Sequence, residues 1–132
     1  MKLLITGASG LLGINLALEA MRAHDVVGVD RGKLKSAPFP VIKADLLHRN
    51  AIDSMLERAQ PDWLVNCAAL ANLETCEENP DLARVLNAEI PGELAHACAR
   101  KGIRFVHIST DAVFDGKKTD PYTEADQPNP LG

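Results

Sequence analysis

The sequence predicts an α/β domain built on a doubly wound parallel sheet, with helices on both faces to make three layers. Short apolar runs alternate with amphipathic helical stripes along most of the chain. A glycine-rich turn directly follows the first apolar run, and small or polar residues end the later runs. Short buried strands joined by helices form right-handed βαβ units, which place the strand ends along one edge.

Five short apolar runs predict the strands, and they occupy positions 2–6, 26–29, 41–42, 63–65 and 104–108. Apolar residues at helical spacing predict a first helix from about Leu11 and a second one that Pro61 terminates. Asn79 is a candidate N-cap for a long helix that continues to Arg100 and Lys101. Pro91 lies within it, so we expect a kink there or two consecutive helices.

Composition sets the class of protein. The chain has 132 residues, 46% of them hydrophobic, which fits one globular domain and excludes a disordered chain. The net charge of −4 gives no general attraction to nucleic acid or to an anionic membrane, so we expect neither as a partner. No uninterrupted apolar run is long enough for a membrane span, and the predicted location is cytoplasmic. The three cysteines lack metal-site spacing, so we expect free thiols and no metal.

The segment TGASGLLG at 6–13 places three glycines three residues apart, between the first strand and the first helix. This context is typical of a Rossmann-like turn that holds the pyrophosphate of a dinucleotide against a helix N-terminus. Gly7 permits the turn, Gly10 permits close approach of the ligand, and Gly13 permits helix packing. The candidate cofactor contacts in this segment are Gly7, Ser9, Gly10, Leu11, Leu12 and Gly13.

Asp30 closes the second strand, where an acid can accept hydrogen bonds from the adenosine ribose and favour NAD. Arg31 follows at once, with Lys33 and Lys35 close behind, and these cations can instead hold a 2′-phosphate or simply face solvent. The cofactor is therefore NADP or NAD, with the cations favouring NADP.

Asp45 and Leu46 follow the third strand, where a carboxylate can meet the adenine amino group. The alternative for Asp45 is a surface cap on the next helix.

Taken together, these residues resemble the extended short-chain dehydrogenase/reductase family. The glycine loop at 6–13 and NCAA at 66–69 match its cofactor motifs, and HISTDAVFDGKKTDPYTEADQPNPLG at 107–132 resembles the dTDP-4-dehydrorhamnose reductase branch. The resemblance implies that Cys67, Ala68 and Ala69 lie beside the nicotinamide, and that Asn87 has a structural or cofactor-side role. It also implies that Thr110, flanked by Ser109 and Asp111, hydrogen-bonds the substrate carbonyl; the alternative for these three is a strand-end turn with local caps.

One departure from the family concerns its Tyr-x-x-x-Lys pair. Asp126 stands four residues after Tyr122, the only tyrosine, so Tyr122 is not that residue and is expected to pack in a loop. By resemblance the pair would begin just past Gly132. We therefore expect residues 1–132 to be an NAD(P)-binding domain whose sheet is truncated before its last strands, and to be inactive alone.

The resemblance implies an NAD(P)H-dependent oxidoreductase that reduces a 4-keto sugar nucleotide, as in dTDP-L-rhamnose synthesis. One alternative is a nucleotide-sugar epimerase or dehydratase of the same family. Another is a non-catalytic NAD(P)-binding subunit like the regulatory subunit of methionine adenosyltransferase.

A truncated sheet exposes an apolar edge, so a homodimer or self-association is expected. His107, between Val106 and Ile108, is expected to be a buried core histidine.

Overall fold

A computed structural model describes residues 1–32 and 34–131, and it contains one five-stranded parallel sheet. Lys33 and Gly132 lie outside the described residues. The strands run in the spatial order β3-β2-β1-β4-β5, which confirms the doubly wound sheet. Their bounds are β1 Lys2–Thr6, β2 Asp25–Asp30, β3 Val41–Lys43, β4 Trp63–Asn66 and β5 Arg104–His107.

The helices connect these strands and cover the sheet. They are α1 Leu11–Ala20, α2 Ala51–Ala59, α3 Leu73–Glu78, α4 Pro80–Arg84 and α5 Ile90–Lys101. A π-helical turn, Val85–Glu89, joins α4 to α5, and a 3₁₀ turn, Asp111–Val113, follows β5. In the described part of the chain, no helix combines the length and apolar character that a membrane crossing needs.

Two clusters of buried side chains place the helices on opposite faces. On one face, Leu4 and Leu64 of the sheet pack with Met55 of α2 and Leu94 of α5. On the other face, Ile5, Val26 and Phe39 pack with Ala17 of α1. Burial on both faces explains why the strands are short apolar runs rather than alternating sequences.

The long helix predicted from Asn79 differs in detail. Helical residues run from Pro80 to Lys101, and a π turn just before Pro91 divides them into two consecutive α-helices, α4 and α5. Proline has no N–H for the carbonyl four residues back, at Asn87, and its ring would clash with that carbonyl. The wider π turn relieves both problems.

The acidic segment before this helix contains a further helix, α3, that the sequence analysis did not predict. Its N-cap is Asn72, whose side chain accepts a hydrogen bond of 2.7 Å from the Thr75 N–H. Asn79 occupies the predicted N-cap position of α4. However, its side-chain amide donates to the carbonyl of Thr75 at 3.2 Å instead of capping α4.

His107 is exposed, so the expectation of a buried core histidine was wrong. The reason is its place in the sheet, because β5 is an edge strand of the described sheet and its outer side has no neighbouring strand. Val106 and Ile108 are exposed by 37% and 40% for the same reason.

Candidate functional site

The carboxyl ends of all five strands meet at one edge of the sheet. Thr6, Asp30, Lys43, Asn66 and His107 are the last residues of β1, β2, β3, β4 and β5. From β1 the chain adds β2 and β3 on one side and then β4 and β5 on the other. The crevice between β1 and β4 is therefore the topological switch point, where ligands bind in such sheets.

The turn after β1 is packed so closely that only glycine fits at its first position. Gly7 has φ +67°, and a Cβ there would lie 2.8 Å from the backbone of Cys67 and of Ala68. The N–H of Gly10 donates to the Gly7 carbonyl at 2.9 Å, and the N–H of Ala8 donates to the Val29 carbonyl at 3.2 Å. The turn is therefore fixed against both β2 and the loop that follows β4.

Gly13 lets the first turn of α1 rest on this loop. A Cβ at Gly13 would lie 2.2 Å from the Gly7 carbonyl oxygen, and one at Gly10 would lie 3.2 Å from the same atom. The three glycines predicted from their spacing are thus brought together around the carbonyl of Gly7.

The N-terminus of α1 presents its backbone N–H groups at this edge. Gly10 is the N-cap, no side chain caps the helix, and its first turn has no acidic residue. A helix N-terminus of this kind carries a partial positive charge and free donors for an anion. Leu11 and Leu12 of the first turn are 85% and 49% exposed, and Ser9 is half-buried beside them.

Asp30 organises the turn after β2. It is only 7% exposed, and its Oδ1 accepts hydrogen bonds from the N–H groups of Gly32 at 2.7 Å and Leu34 at 3.1 Å. Arg31 and Lys35 are exposed on either side of this turn.

Asp45 stabilises the turn after β3. Its Oδ1 accepts a hydrogen bond from the Leu47 N–H at 3.1 Å, while Leu46 packs against the larger core cluster. The alternative role of Asp45 as the cap of the next helix is wrong, because α2 begins at Ala51 and Asn50 occupies its N-cap.

A row of polar side chains that was not predicted from the sequence crosses three strands at this edge. The Thr6 hydroxyl donates to Oδ1 of Asn66, and the Asn66 amide lies 3.0 Å from Nδ1 of His107. Thr6 and Asn66 are buried, at 0% and 1% exposure. These three residues are direct partners in the β1–β4 and β4–β5 registers. A polar residue at the end of each of three apolar runs was the available signal.

Asn66 also fixes the loop that packs against the glycine turn. Its Oδ1 accepts a second hydrogen bond, from the Ala68 N–H at 3.2 Å. The Cys67 N–H donates to the Thr6 carbonyl at 3.2 Å. Burial raises the pKa of the Cys67 thiol, so this cysteine is protonated near neutral pH and serves for packing. Ala69, two residues after Cys67, is exposed.

Asn87 in the π turn holds the next part of the same loop. Its Oδ1 accepts from the Leu70 N–H at 2.8 Å, and its Nδ2 donates to the Leu70 carbonyl at 2.9 Å. The π turn at Pro91 therefore presents a side chain that binds the backbone after β4.

Ser109, Thr110 and Asp111 are exposed beyond the end of β5. The Thr110 hydroxyl accepts a hydrogen bond from the Ala112 N–H at 3.1 Å and lies 3.3 Å from Oδ1 of Asp111. Thr110 thus caps the 3₁₀ turn, as one of the two interpretations anticipated, and the residue is exposed.

Tyr122 packs within the loop after β5, as expected. Its ring stacks on Phe114 with centroids 4.3 Å apart, and its hydroxyl donates to Oδ1 of Asp115 at 2.8 Å. Hydrogen bonds from the Lys117 N–H, Asn129 and Tyr122 lower the pKa of Asp115.

Asp126 binds Lys118 and Thr123 in the same loop after β5. A hydrogen bond of 2.7 Å from the Lys118 ammonium, helped by the backbone and hydroxyl of Thr123, lowers its pKa to about 2. Both carboxylates are therefore ionised over the physiological range.

Neither a metal cluster nor the largest described concavity coincides with the carboxyl edge of the sheet. No group of three or more His, Cys, Asp or Glu side chains within residues 1–32 and 34–131 has the arrangement of a metal site. A concavity of about 600 Å³ lies at the opposite edge of the sheet, between Lys2, Phe39 and Arg58. It includes none of the residues at the carboxyl ends of the strands.

The sheet order, the glycine turn under the α1 N-terminus and the segment after β5 define a Rossmann-type domain of the extended short-chain dehydrogenase/reductase class. More specifically, the chain belongs to the RmlD substrate binding domain family, which matches residues 1–132.

Individual relatives span reductases and a regulatory subunit. The chain is 40% identical to a dTDP-4-dehydrorhamnose reductase of Burkholderia thailandensis, over 99% of this chain and 41% of that protein. It is 37% identical to methionine adenosyltransferase 2 subunit beta of Bos taurus, over 98% of this chain and 38% of that protein. A Bacillus anthracis dTDP-4-dehydrorhamnose reductase, solved in complex with NADP, superimposes with a TM-score of 0.84 at 30% identity, covering 98% of this chain and 43% of that one. The chain thus spans about two fifths of the length of these relatives.

Proposed function

We propose that this chain is the NAD(P)-binding part of a reductase that acts on a 4-keto sugar nucleotide. The observation that carries the proposal is the glycine turn, locked by Gly7 against Cys67–Ala68 and placed under the uncapped N-terminus of α1. A Cβ at Gly7 would collide with the backbone of Cys67 and Ala68, and one at Gly10 would press on the Gly7 carbonyl oxygen, so either would displace the turn proposed to hold a pyrophosphate. The name of the Burkholderia relative and the NADP complex of the Bacillus enzyme support the same assignment.

The proposed cofactor contacts lie at the end of β2 and in the segments that directly follow β1, β2 and β3. The N–H groups of Gly10, Leu11 and Leu12 hold the pyrophosphate, while Asp30 and Arg31 flank the adenosine ribose. Asp45 and Leu46 border the adenine. We propose NADP as the preferred dinucleotide, because Arg31 and Lys35 supply positive charge beside the ribose.

The loop after β4 forms the nicotinamide side. Cys67, Ala68 and Ala69 are small enough to border the nicotinamide. Asn66 binds the Ala68 N–H within this segment, and Asn87 binds the backbone of Leu70, which follows it. The reduced nicotinamide supplies a hydride when it is bound. The chain's own contribution is to hold the backbone of that loop in place.

Thr110 is the proposed catalytic hydroxyl of this part of the protein. Its proton can turn from Asp111 toward a carbonyl oxygen at the open edge, where negative charge develops during hydride transfer. Ser109 and Asp111 are proposed to orient it. The proton donor is proposed to lie outside this chain, because Tyr122 is committed to Asp115 and Phe114.

Calorimetric titration of the chain with NADPH and with NADH tests the cofactor assignment. Binding is expected for the native chain and is expected to be lost in Gly7→Ala, whose Cβ would meet the Cys67 and Ala68 backbone. Gly116→Ala is the matched control, because Gly116 also has a positive φ, of +69°, but nothing lies within 4 Å of its Cβ position. Equal binding by the two variants would contradict the proposed site.

Continuing the chain with the carboxyl-terminal part of the Burkholderia reductase tests the reaction. We expect consumption of one NAD(P)H per keto sugar reduced, and a loss of about 100-fold in kcat for Thr110→Val with retention in Thr110→Ser. Turnover without net NAD(P)H consumption would instead indicate an epimerase or dehydratase.

The bovine relative favours one other function, that of a non-catalytic NAD(P)-binding subunit. Dinucleotide binding combined with co-purification of a transferase, and no keto-sugar reduction by the continued chain, would support that function over the reductase.

A further inference from the structure

Lys43 lies beside Asp30 at the carboxyl edge, although thirteen positions separate them along the chain. The two residues are direct partners in the parallel β2–β3 register, so their side chains project from the same face of the sheet. Gly28, two residues before Asp30, faces Ala8 of the glycine loop. The alternation along β2 therefore places Asp30 and Lys43 on the face that carries α1 and the glycine loop.

The Lys43 side chain runs alongside the turn that Asp30 organises. The position of a Cβ on Gly32 would lie 3.1 Å from Cε and 3.6 Å from Nζ of Lys43. Gly32 also donates its N–H to Oδ1 of Asp30 at 2.7 Å. Lys43 is exposed, so its ammonium lies at the surface of this turn and is accessible to a ligand.

We infer that Lys43 determines dinucleotide specificity by binding the phosphate monoester on the adenosine 2′ position, together with Arg31. The inference rests on the proposed dinucleotide site and adds its choice between NADP and NAD. A lone carboxylate at the end of β2 disfavours a 2′-phosphate. Here Asp30 directs one oxygen at the N–H groups of Gly32 and Leu34, and the exposed side chains of Arg31 and Lys43 lie at the same turn. An ammonium with three donors is well suited to a phosphate.

Gly32 contributes by leaving space for that lysine. Its φ of +116° is one that side-chain-bearing residues rarely adopt, and a Cβ there would press on Cε of Lys43. Gly32 is therefore a positioning residue for Lys43, and Gly32→Ala is expected to weaken binding of the 2′-phosphate by displacing the ammonium.

The test uses the adenosine half of the cofactor alone, so that it does not depend on the nicotinamide side or on any reaction. Calorimetric titrations with 2′,5′-ADP and with 5′-AMP are compared for the native chain and Lys43→Met. Lys101→Met is the control, because Lys101 is another lysine, at the opposite edge, with its ammonium 3.9 Å from Glu57. Circular dichroism verifies that each variant is folded.

We expect Lys43→Met to weaken 2′,5′-ADP binding about tenfold while AMP binding stays within about twofold of native. Lys101→Met should bind both ligands as the native chain does. An equal change for both ligands in Lys43→Met, or no change in either, would overturn the role of Lys43. If the native chain binds AMP and 2′,5′-ADP equally, the dinucleotide site stands and the specificity inference fails. If it binds neither these nor NADPH and NADH, the proposed site and the inference fail together.

Discussion

Gly13 and Gly92 offer the same substitution in two helices with opposite expected results. Both residues lie within helices, α1 and α5, where alanine is preferred to glycine by about 1 kcal/mol. At Gly92 nothing lies within 4 Å of the Cβ position. At Gly13 the Cβ would stand 2.2 Å from the oxygen and 2.9 Å from the carbon of the Gly7 carbonyl.

The steric cost at Gly13 cannot be relieved by a side-chain rotation, because the atoms in contact belong to the backbone. The start of α1 would have to move by roughly 1 Å or more to reach even a tight contact. Overpacking of this kind costs up to about 3 kcal/mol. After the gain in helix propensity of about 1 kcal/mol, Gly13→Ala should lower the free energy of unfolding by about 2 kcal/mol. Gly92→Ala should raise it by about 1 kcal/mol.

Urea unfolding followed by circular dichroism measures both variants against the native chain. The expected separation between them is about 3 kcal/mol in the free energy of unfolding. Gly13→Ala should also lose NADPH binding, since displacement of α1 moves the N–H groups proposed to hold the pyrophosphate. Stabilisation of both variants by a similar amount would show that the α1 contact with Gly7 is not as close as the structure has it, and the reasoning would be refuted.

Three further predictions concern separate parts of the chain. Lys118 is the main cause that lowers the pKa of Asp126 to about 2, so the contribution of Asp126 to stability is present above about pH 4 and is lost as the pH falls toward 2. Lys118→Met should return that pKa toward 3.8 in a carboxyl NMR titration, and an unchanged titration would contradict the contact. Asn87→Ala removes two hydrogen bonds to the backbone of Leu70, so the free energy of unfolding should fall by about 1 kcal/mol. Hydrogen exchange of the Leu70 amide should become faster, and unaltered exchange would argue against these two hydrogen bonds. Gln60 ends α2 in the left-handed region, with φ 46°, which is strained for a residue that has a Cβ. Gln60→Gly should therefore raise the free energy of unfolding by roughly 0.5 kcal/mol, and a lower urea midpoint would count against this strain.

The strands and the glycine turn were predictable because their signals are local. An apolar run that ends in a glycine turn specifies β1, and the spacing of Gly7, Gly10 and Gly13 specifies the loop above it. α3 was not predicted because its six residues, LETCEE, carry no apolar stripe and depend on the Asn72 cap and the following helix. The π turn depends on how Pro91 is accommodated, which a residue pattern does not reveal.

The polar residues of the candidate site were harder to predict because their partners are distant in sequence. Thr6 and Asn66 are sixty residues apart, and only the register of β1 with β4 makes them neighbours. Lys43 directly follows the third strand predicted at 41–42, and only the β2–β3 register places it beside Asp30. Asp45 and Thr110 were correctly placed at strand ends, while their roles toward a ligand stay predictions.

The close fit of Gly7 against Cys67 and Ala68 has a consequence for folding during synthesis. The β1–α1–β2 unit can form once residue 30 has left the ribosome, because these elements are adjacent in the chain and in the sheet. The turn that packs against residues 67 and 68 still has one side unsupported at that stage. At ordinary elongation rates, the missing side arrives about 2 to 8 s later. The loop at 6–13 is thus among the first segments made and among the later ones to become rigid, and a nascent chain should acquire affinity for a dinucleotide only after β4 has been inserted beside β1.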